Sequence, residues 1–232
     1  MEKDRTDRFW PFAQGGGPTI ALATGLWTGV LSLWRAKRGA GTGVLFATAS
    51  VVWLLILYFF RDPNRPLYSE PGLVMSAADG KVVAITRETE PIYLKQDMLR
   101  ISTFLDITDV HVQRIPIDGV VRRIITRSGK FLQAFRPEAS TENESIAMEL
   151  ETPYGAVLVK QIAGIMARRC VNYASVGEQV ISGERYGLIR FGSRVDLFLP
   201  VSAEVLVAEG DRVAGGLTPV ARLRPVSGSI HA

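Results

Sequence analysis

The chain has 232 residues, 47 % hydrophobic and 22 % charged, which excludes disorder and fibrous repeats and suits one ordinary domain with a small appendage. A net charge of +4 superficially suggests nucleic acid, but its distribution does not: residues 1–65 carry 8 Lys and Arg against 4 Asp and Glu, and residues 66–232 carry 19 of each. The excess therefore sits beside two apolar segments, where anionic lipid is the natural partner, and no basic stripe for nucleic acid remains. One cysteine, Cys170, excludes an intramolecular disulfide and a cysteine zinc site. With only His111 and His231 besides, no metal centre is expected.

No charged residue occurs between Phe9 and Trp34, nor between Gly39 and Phe60. Their apolar cores, Thr19–Trp34 and Val44–Phe60, are each about one short membrane span at about 1.5 Å per residue. The basic, glycine-rich run from Arg35 to Gly43 separates them, and a second apolar run argues against a cleavable signal peptide. Residues 1–65 read as a membrane-anchoring helical hairpin with Trp10, Trp27, Trp34 and Trp53 as interfacial anchors. The alternative is a pair of helices buried in a soluble core. Three basic residues in the turn stand against Lys3, Arg5, Arg8, Arg61 and Arg65 on the flanks, which favours a cell (inner) membrane protein with its larger part on the cytoplasmic face. A re-entrant hairpin that never crosses fits the same count.

After Phe60 the pattern changes to short β-type runs broken by glycine, proline and charge: Lys81–Thr86, Arg100–Leu105, Val120–Thr126, Ala156–Ile162, Val195–Leu199 and Glu204–Ala208. Thr141–Ser145 reads as a loop. The predicted class is mainly β (α+β overall), with residues 66–232 forming the folded domain. An internal repeat runs through it, since Val176–Gly183 recurs as Glu209–Gly216 in the pattern Gly-acidic-x-Val-x-x-Gly, displaced by 33 residues. A strand, a tight turn at the first glycine, an inward valine and a second turn account for it. The pattern resembles the hairpins of lipoyl- and biotinyl-type domains and predicts a compact pseudo-symmetric β-sandwich. A swinging-arm carrier would need a lysine at a hairpin tip, yet the last lysine is Lys160, so that function is excluded.

Chemistry concentrates at Phe191-Gly192-Ser193. Val195 stands where a Gly-x-Ser-x-Gly nucleophile elbow would have its second glycine, so an ordinary hydrolase is not indicated. A Gly-Ser bond can instead rearrange, because glycine opens backbone conformations in which the Ser193 hydroxyl reaches the Gly192 carbonyl. Asp79 and His111 are candidates for proton work: a neutral imidazole can take a hydroxyl proton and a buried carboxylate can hold its tautomer. Asp79-Gly80 is equally a common turn dipeptide, and a lone histidine before apolar residues is often only packed.

Phe59-Phe60-Arg61-Asp62-Pro63, Ser76-Ala77-Ala78-Asp79-Gly80-Lys81-Val82, Asp109-Val110-His111-Val112-Gln113-Arg114-Ile115-Pro116-Ile117-Asp118-Gly119 and Phe191-Gly192-Ser193 occur in that order. Together they closely resemble the phosphatidylserine decarboxylases in their short bacterial form, over roughly residues 55–200. The resemblance implies a proenzyme that cuts itself: Ser193 attacks the Gly192 carbonyl, elimination breaks the chain, and hydrolysis leaves a pyruvoyl group at position 193. The products would be a β chain, 1–192, and an α chain, 193–232, that remain associated. The pyruvoyl ketone would form a Schiff base with the amine of phosphatidylserine and accept the electrons released with CO2, yielding phosphatidylethanolamine. Ser193, His111 and Asp79 would be catalytic, with Arg114 and Arg61 as substrate-binding residues; no nucleic-acid partner is implied, and a homo-oligomer is compatible.

Longer members of the family carry a second histidine three residues after the first, where this chain has Arg114. Arginine cannot act as a base near neutral pH. Either His111 serves both cleavage and decarboxylation, or Arg114 binds the substrate carboxylate or phosphate while another group takes the proton. The rival class is a non-catalytic membrane-anchored adaptor, which would remain uncut.

Overall fold

The computed structural model describes residues 11–133, 138–164, 170–190 and 193–225. They form two compact units, a helical one within residues 9–63 and a β unit from Asn64 onward.

In the helical unit, α1 (Gly17–Lys37) and α2 (Ala40–Phe59) are joined by a two-residue link. Left-handed Arg38 ends α1, its N–H donating to the Trp34 carbonyl at 2.8 Å, and Thr42 Oγ1 caps α2 by accepting the Gly39 N–H at 3.1 Å. Of the described helices only α2, with mean hydropathy 2.0, is long and apolar enough to cross a membrane. Glycine and hydroxyl residues interrupt the apolar run of α1. Thr24 and Ser32 turn their hydroxyls back onto carbonyls of the helix, Ile20 at 2.8 Å and Thr28 at 2.9 Å.

Three of the tryptophans expected as interfacial anchors make interhelical contacts. Trp27 and Trp53 stack with ring centroids 4.8 Å apart; Trp27 Nε1 donates to Ser50 Oγ at 2.9 Å and Trp53 Nε1 to Thr24 Oγ1 at 3.0 Å. Trp34 stacks on Phe46 at 4.9 Å. An indole N–H away from water needs a partner, and a hydroxyl on the opposite helix supplies one. Trp10 lies outside the described residues.

The β unit runs β1 (Leu73–Met75), β2 (Gly80–Thr89), β3 (Asp97–Leu105), β4 (Val112–Arg114), β5 (Gly119–Arg127), one helical turn α3 (Ala139–Glu142), β6 (Ser145–Thr152), β7 (Gly155–Ala163), β8 (Cys170–Asn172), β9 (Gln179–Val180), β10 (Arg185–Ile189), β11 (Ser193–Pro200), β12 (Glu204–Val205), β13 (Arg212–Val213) and β14 (Pro219–Arg222). An eight-stranded curled sheet in the order β13-β2-β3-β11-β7-β6-β5-β9 is accompanied by two three-stranded sheets, β1-β14-β12 and β4-β10-β8. The mainly β, α+β class is therefore as expected.

Both halves obey one plan. The order of the large sheet is palindromic if β13, β2, β3 and β11 are matched to β9, β5, β6 and β7, and the small sheets match as β1, β14 and β12 to β4, β10 and β8. Backbone bonds repeat accordingly: Gly177 N–H donates to the Val121 carbonyl and Gly210 N–H to the Val82 carbonyl, each at 2.8 Å. The sequence repeat marks these turns. Gly177, Gly183, Gly210 and Gly216 all have positive φ, and Val180 and Val213 are buried.

Alternation along the central strands directs Val157, Val159, Ile101, Val195, Leu197 and Leu199 into the main core. The opposite face carries a smaller cluster in which Met98, Leu158 and Phe198 pack with Tyr93 and Ala147. Two expected elements differ. The strand expected over Glu204–Ala208 stops at Val205 in the ladder, because the chain then turns toward Gly210. The expected loop over Thr141–Ser145 instead contains the end of α3 and the start of β6. Ser140 Oγ donates to Asp196 at 2.8 Å and the Asn143 N–H to the Ala139 carbonyl at 3.2 Å, which closes a helical turn.

The crossing of the halves leaves no room for a side chain. At Gly216, with φ +71°, a Cβ would lie 3.1 Å from Gly183 Cα and 3.4 Å from the Arg114 side chain. Gly216→Ala is expected to destabilise the β unit by about 1–2 kcal/mol, read as a lowered unfolding midpoint in denaturant.

Candidate active site

Ser193 opens β11, in the middle of the large sheet. It pairs with Leu105 of β3 and Ala163 of β7, so its hydroxyl falls on the core face shared with Val195 and Leu197. The residue is wholly buried and its Oγ makes no hydrogen bond. Leaving a buried hydroxyl unsatisfied costs about 1–3 kcal/mol. Gly192, the other half of the expected scissile pair, lies outside the described residues, as does His231.

His111 is also wholly buried and immediately precedes β4. Its Nδ1 lies 2.9 Å from the Asp109 carbonyl. A carbonyl only accepts, so Nδ1 carries the proton and Nε2 is the basic nitrogen. The His111 carbonyl receives the Ile189 N–H at 3.3 Å. Ile189 is four residues before Ser193, so the link between the two cannot exceed about 14 Å.

Asp79 was expected to hold the imidazole tautomer, but Asp109 does so through its backbone. The Asp79 carboxylate instead accepts two bonds from Arg65, Nη1 at 2.6 Å and Nη2 at 2.8 Å, and the Gly215 N–H at 2.8 Å. The reason lies in the pseudo-symmetry. Asp118, its counterpart before β5, accepts the Ser182 N–H at 2.7 Å in the matching turn. Both Asp-Gly pairs thus tie a strand start to the second turn of a repeat.

Arg114 is wholly buried beside Gly216, with Nη1 donating to the Gly183 carbonyl at 3.0 Å. Arg61, in the helical unit, places its guanidinium 3.8 Å from the Tyr58 ring centre and donates to the Tyr58 carbonyl at 2.8 Å. Asn143, in the segment expected to form a loop, is 1 % exposed and donates to the Leu132 and Ala163 carbonyls at 2.8 and 2.7 Å. That strap ends on the residue opposite Ser193.

Behind Ser193, the other face of β11 carries a buried charged network that sequence reading passed over. Arg194 grips the wholly buried Asp196, with Nη2 donating to Oδ2 at 2.9 Å. Burial would raise the Asp196 carboxyl, but the charge and hydrogen bond of Arg194, with Arg100 and Ser102, outweigh it and hold the group below its usual range. Lys160, opposite Asp196 on β7, donates to the Ser140 carbonyl. Its ammonium is pushed down to about 8, chiefly by burial, against the opposing pull of Asp196 and Glu90. Cys170 is buried, and burial pushes its thiol up to about 12. Among the described residues no group of acidic, histidine and cysteine side chains could hold a metal ion.

The family model for phosphatidylserine decarboxylase matches residues 53–221. The chain is 42 % identical over 216 residues to the phosphatidylserine decarboxylase proenzyme of Parabacteroides distasonis, covering 90 % of this chain and 97 % of the relative. It is 45 % identical over 183 residues to that of Phocaeicola vulgatus, covering 78 % and 80 %, and 42 % identical over 217 residues to that of Saccharopolyspora erythraea, covering 92 % and 89 %. The protein is a carboxy-lyase. It belongs to the phosphatidylserine decarboxylase family.

The buried lysine gives the fold a pH signature. Between about pH 8 and the ordinary lysine range the unfolded chain binds the proton that folded Lys160 has lost, so stability gains from this residue as pH rises through that window. Denaturant unfolding of wild type and Lys160→Met should therefore give a stability difference that shifts toward wild type between pH 8 and 10.

Proposed function

We propose that the chain is a proenzyme that cuts itself between Gly192 and Ser193 and then decarboxylates phosphatidylserine to phosphatidylethanolamine. The carrying observation is the buried, unbonded Ser193 hydroxyl at the first position of β11, in a member of this family. Ser193 Oγ attacks the Gly192 carbonyl while His111 Nε2 takes its proton, and the amide becomes an ester. Loss of a Ser193 Cα proton then expels the residue 192 carboxylate, leaving dehydroalanine at position 193. Water converts its imine tautomer to a ketone and releases ammonia, so the terminal pyruvoyl group arises from the chain itself. That group supplies an electron sink for the pair freed when CO2 departs, in place of a separate cofactor.

The fold tolerates such a cut. The α chain would begin at the first residue of β11, which is paired to β3 along Ser193–Pro200 and to β7 through Phe198. Each ladder bond contributes about 1 kcal/mol net, and Val195, Leu197, Phe198 and Leu199 add apolar burial, so fragments 1–192 and 193–232 stay together. After the cut the imidazole of His111 can return a proton to the substrate carbon, which makes one histidine sufficient for both steps. Asp79 acts through the Arg65 and Gly215 contacts, holding the start of β2.

The substrate is amphiphilic and needs only its headgroup delivered. Apolar α2 holds the protein to the bilayer, Arg61 lies at its end where a lipid phosphate sits, and the basic flanks favour the cytoplasmic face of the cell membrane. Arg114 serves the headgroup indirectly, by fixing the Gly183 turn.

Denaturing mass analysis of the purified protein should give fragments of about 21 and about 4 kDa, in proportion to length, from the 25.4 kDa chain, with a blocked terminus on the smaller. Ser193→Ala should stay intact. A wild-type chain as intact as that variant would sink the proposal. His111→Ala should lower splitting at least 100-fold by pulse-chase gel analysis while keeping the unfolding midpoint within a few degrees.

A further inference from the structure

The two candidate groups lie on different sheets. Ser193 belongs to the eight-stranded sheet, and His111 adjoins β4 of the β4-β10-β8 sheet. A chain of two wholly buried amides connects these sheets. Gln161, on the core face of β7 opposite Val195 and so diagonal to Ser193, donates from Nε2 to Gln113 Oε1 at 2.9 Å and to the Val171 carbonyl of β8 at 3.2 Å. Gln113, on β4, donates from Nε2 to the His111 carbonyl at 2.7 Å. Both terminal acceptors are carbonyls, so the orientation of each amide is determined.

Two features show that space and polarity are reserved for this bridge. At Gly187 of β10 a Cβ would lie 2.5 Å from Gln161 Nε2 and 2.5 Å from the Val171 carbonyl, so only glycine lets the amide pass. Gln161 Oε1 is buried without a hydrogen-bond partner. Methionine would fill the same volume without that cost, yet could not donate to both Gln113 and Val171.

We infer that Gln113 and Gln161 are positioning residues: their amide bridge sets the separation of His111 from the β11 strand that presents Ser193. The carbonyl that Gln113 grips is the one that receives the Ile189 N–H, at the start of the link to Ser193. One bond therefore fixes both the histidine backbone and the root of the scissile segment. This inference rests on the self-cleavage proposed above.

The test uses the full chain, synthesised in a cell-free system with phosphatidylethanolamine–phosphatidylglycerol vesicles, and follows splitting by gel from pH 5.5 to 8.5. Gln113→Leu should split at least tenfold more slowly than wild type at pH 7.5. Gln113→Glu is the diagnostic variant. Protonated, its carboxyl donates to the His111 carbonyl and accepts from Gln161, as the amide does; ionised, it repels that carbonyl. Its splitting should approach wild type at the acid end and fall at least tenfold as pH rises, a slope opposite to that of a histidine acting as base. Unfolding midpoints are measured for each variant in the uncut Ser193→Ala background.

Wild-type splitting in both Gln113 variants at every pH would overturn the inference and leave the cleavage proposal standing. So would equal, pH-independent losses that follow a lowered midpoint. Should Gln113→Leu fail to unfold cooperatively, Gln161→Met and the slope of Gln113→Glu decide. A wild-type chain that does not split, like Ser193→Ala, overturns the cleavage proposal and this inference together.

Discussion

The structure depends on one strand being held from both edges. β11 lies between β3 and β7 at the middle of the large sheet, and nearly all of its side chains are buried on one face or the other. A strand in that position keeps its place without the peptide bond that precedes it, because ladder bonds and apolar burial act locally. The residue most exposed to chemical change in the proposed reaction is therefore anchored by the contacts least able to yield. The charged network of Arg194, Asp196 and Lys160 adds to this by pairing buried charges on the other face of the same strand, an arrangement that a register shift would break.

Pseudo-symmetry explains how an ordinary β scaffold acquired a special position. In one half β6 turns directly into β7, with Thr152 opposite Gly155 at the hairpin end. In the other half the equivalent strands β3 and β11 pair in the same way, Leu105 opposite Ser193, but are far apart in sequence. The start of β11 thus occupies the place of a hairpin turn without being one. Arrival there from β10, rather than by a tight turn, brings the segment past His111. The same symmetry reassigns Asp79, whose carboxylate repeats at Asp118 as a tie between a strand start and a distant turn.

In the helical unit, polar groups are satisfied inside the hairpin. Indole N–H groups reach hydroxyls on the opposite helix, and threonine and serine hydroxyls fold back onto carbonyls. The outward surface is left to exposed Leu22, Leu26, Val44, Val51, Leu54 and Leu55, which is the distribution hydrocarbon requires.

By itself the sequence determined the class of the fold, the two helices, most strand positions, the duplicated turn and the family. Those properties follow from local periodicity, glycine spacing and motifs contiguous in the chain, which need no knowledge of neighbours. The interhelical contacts of the tryptophans were not legible, because an indole at a helix position reads the same whether or not a second helix faces it. Only the tertiary structure decided what each polar residue holds. Arg65 for Asp79 and Gly183 for Arg114 are partners brought together by strand order and by the crossing of two repeats. Gln161 had a faint signal, a glutamine on the core side of an otherwise apolar alternation, but its partner Gln113 is 48 residues away and meets it only where two sheets face each other.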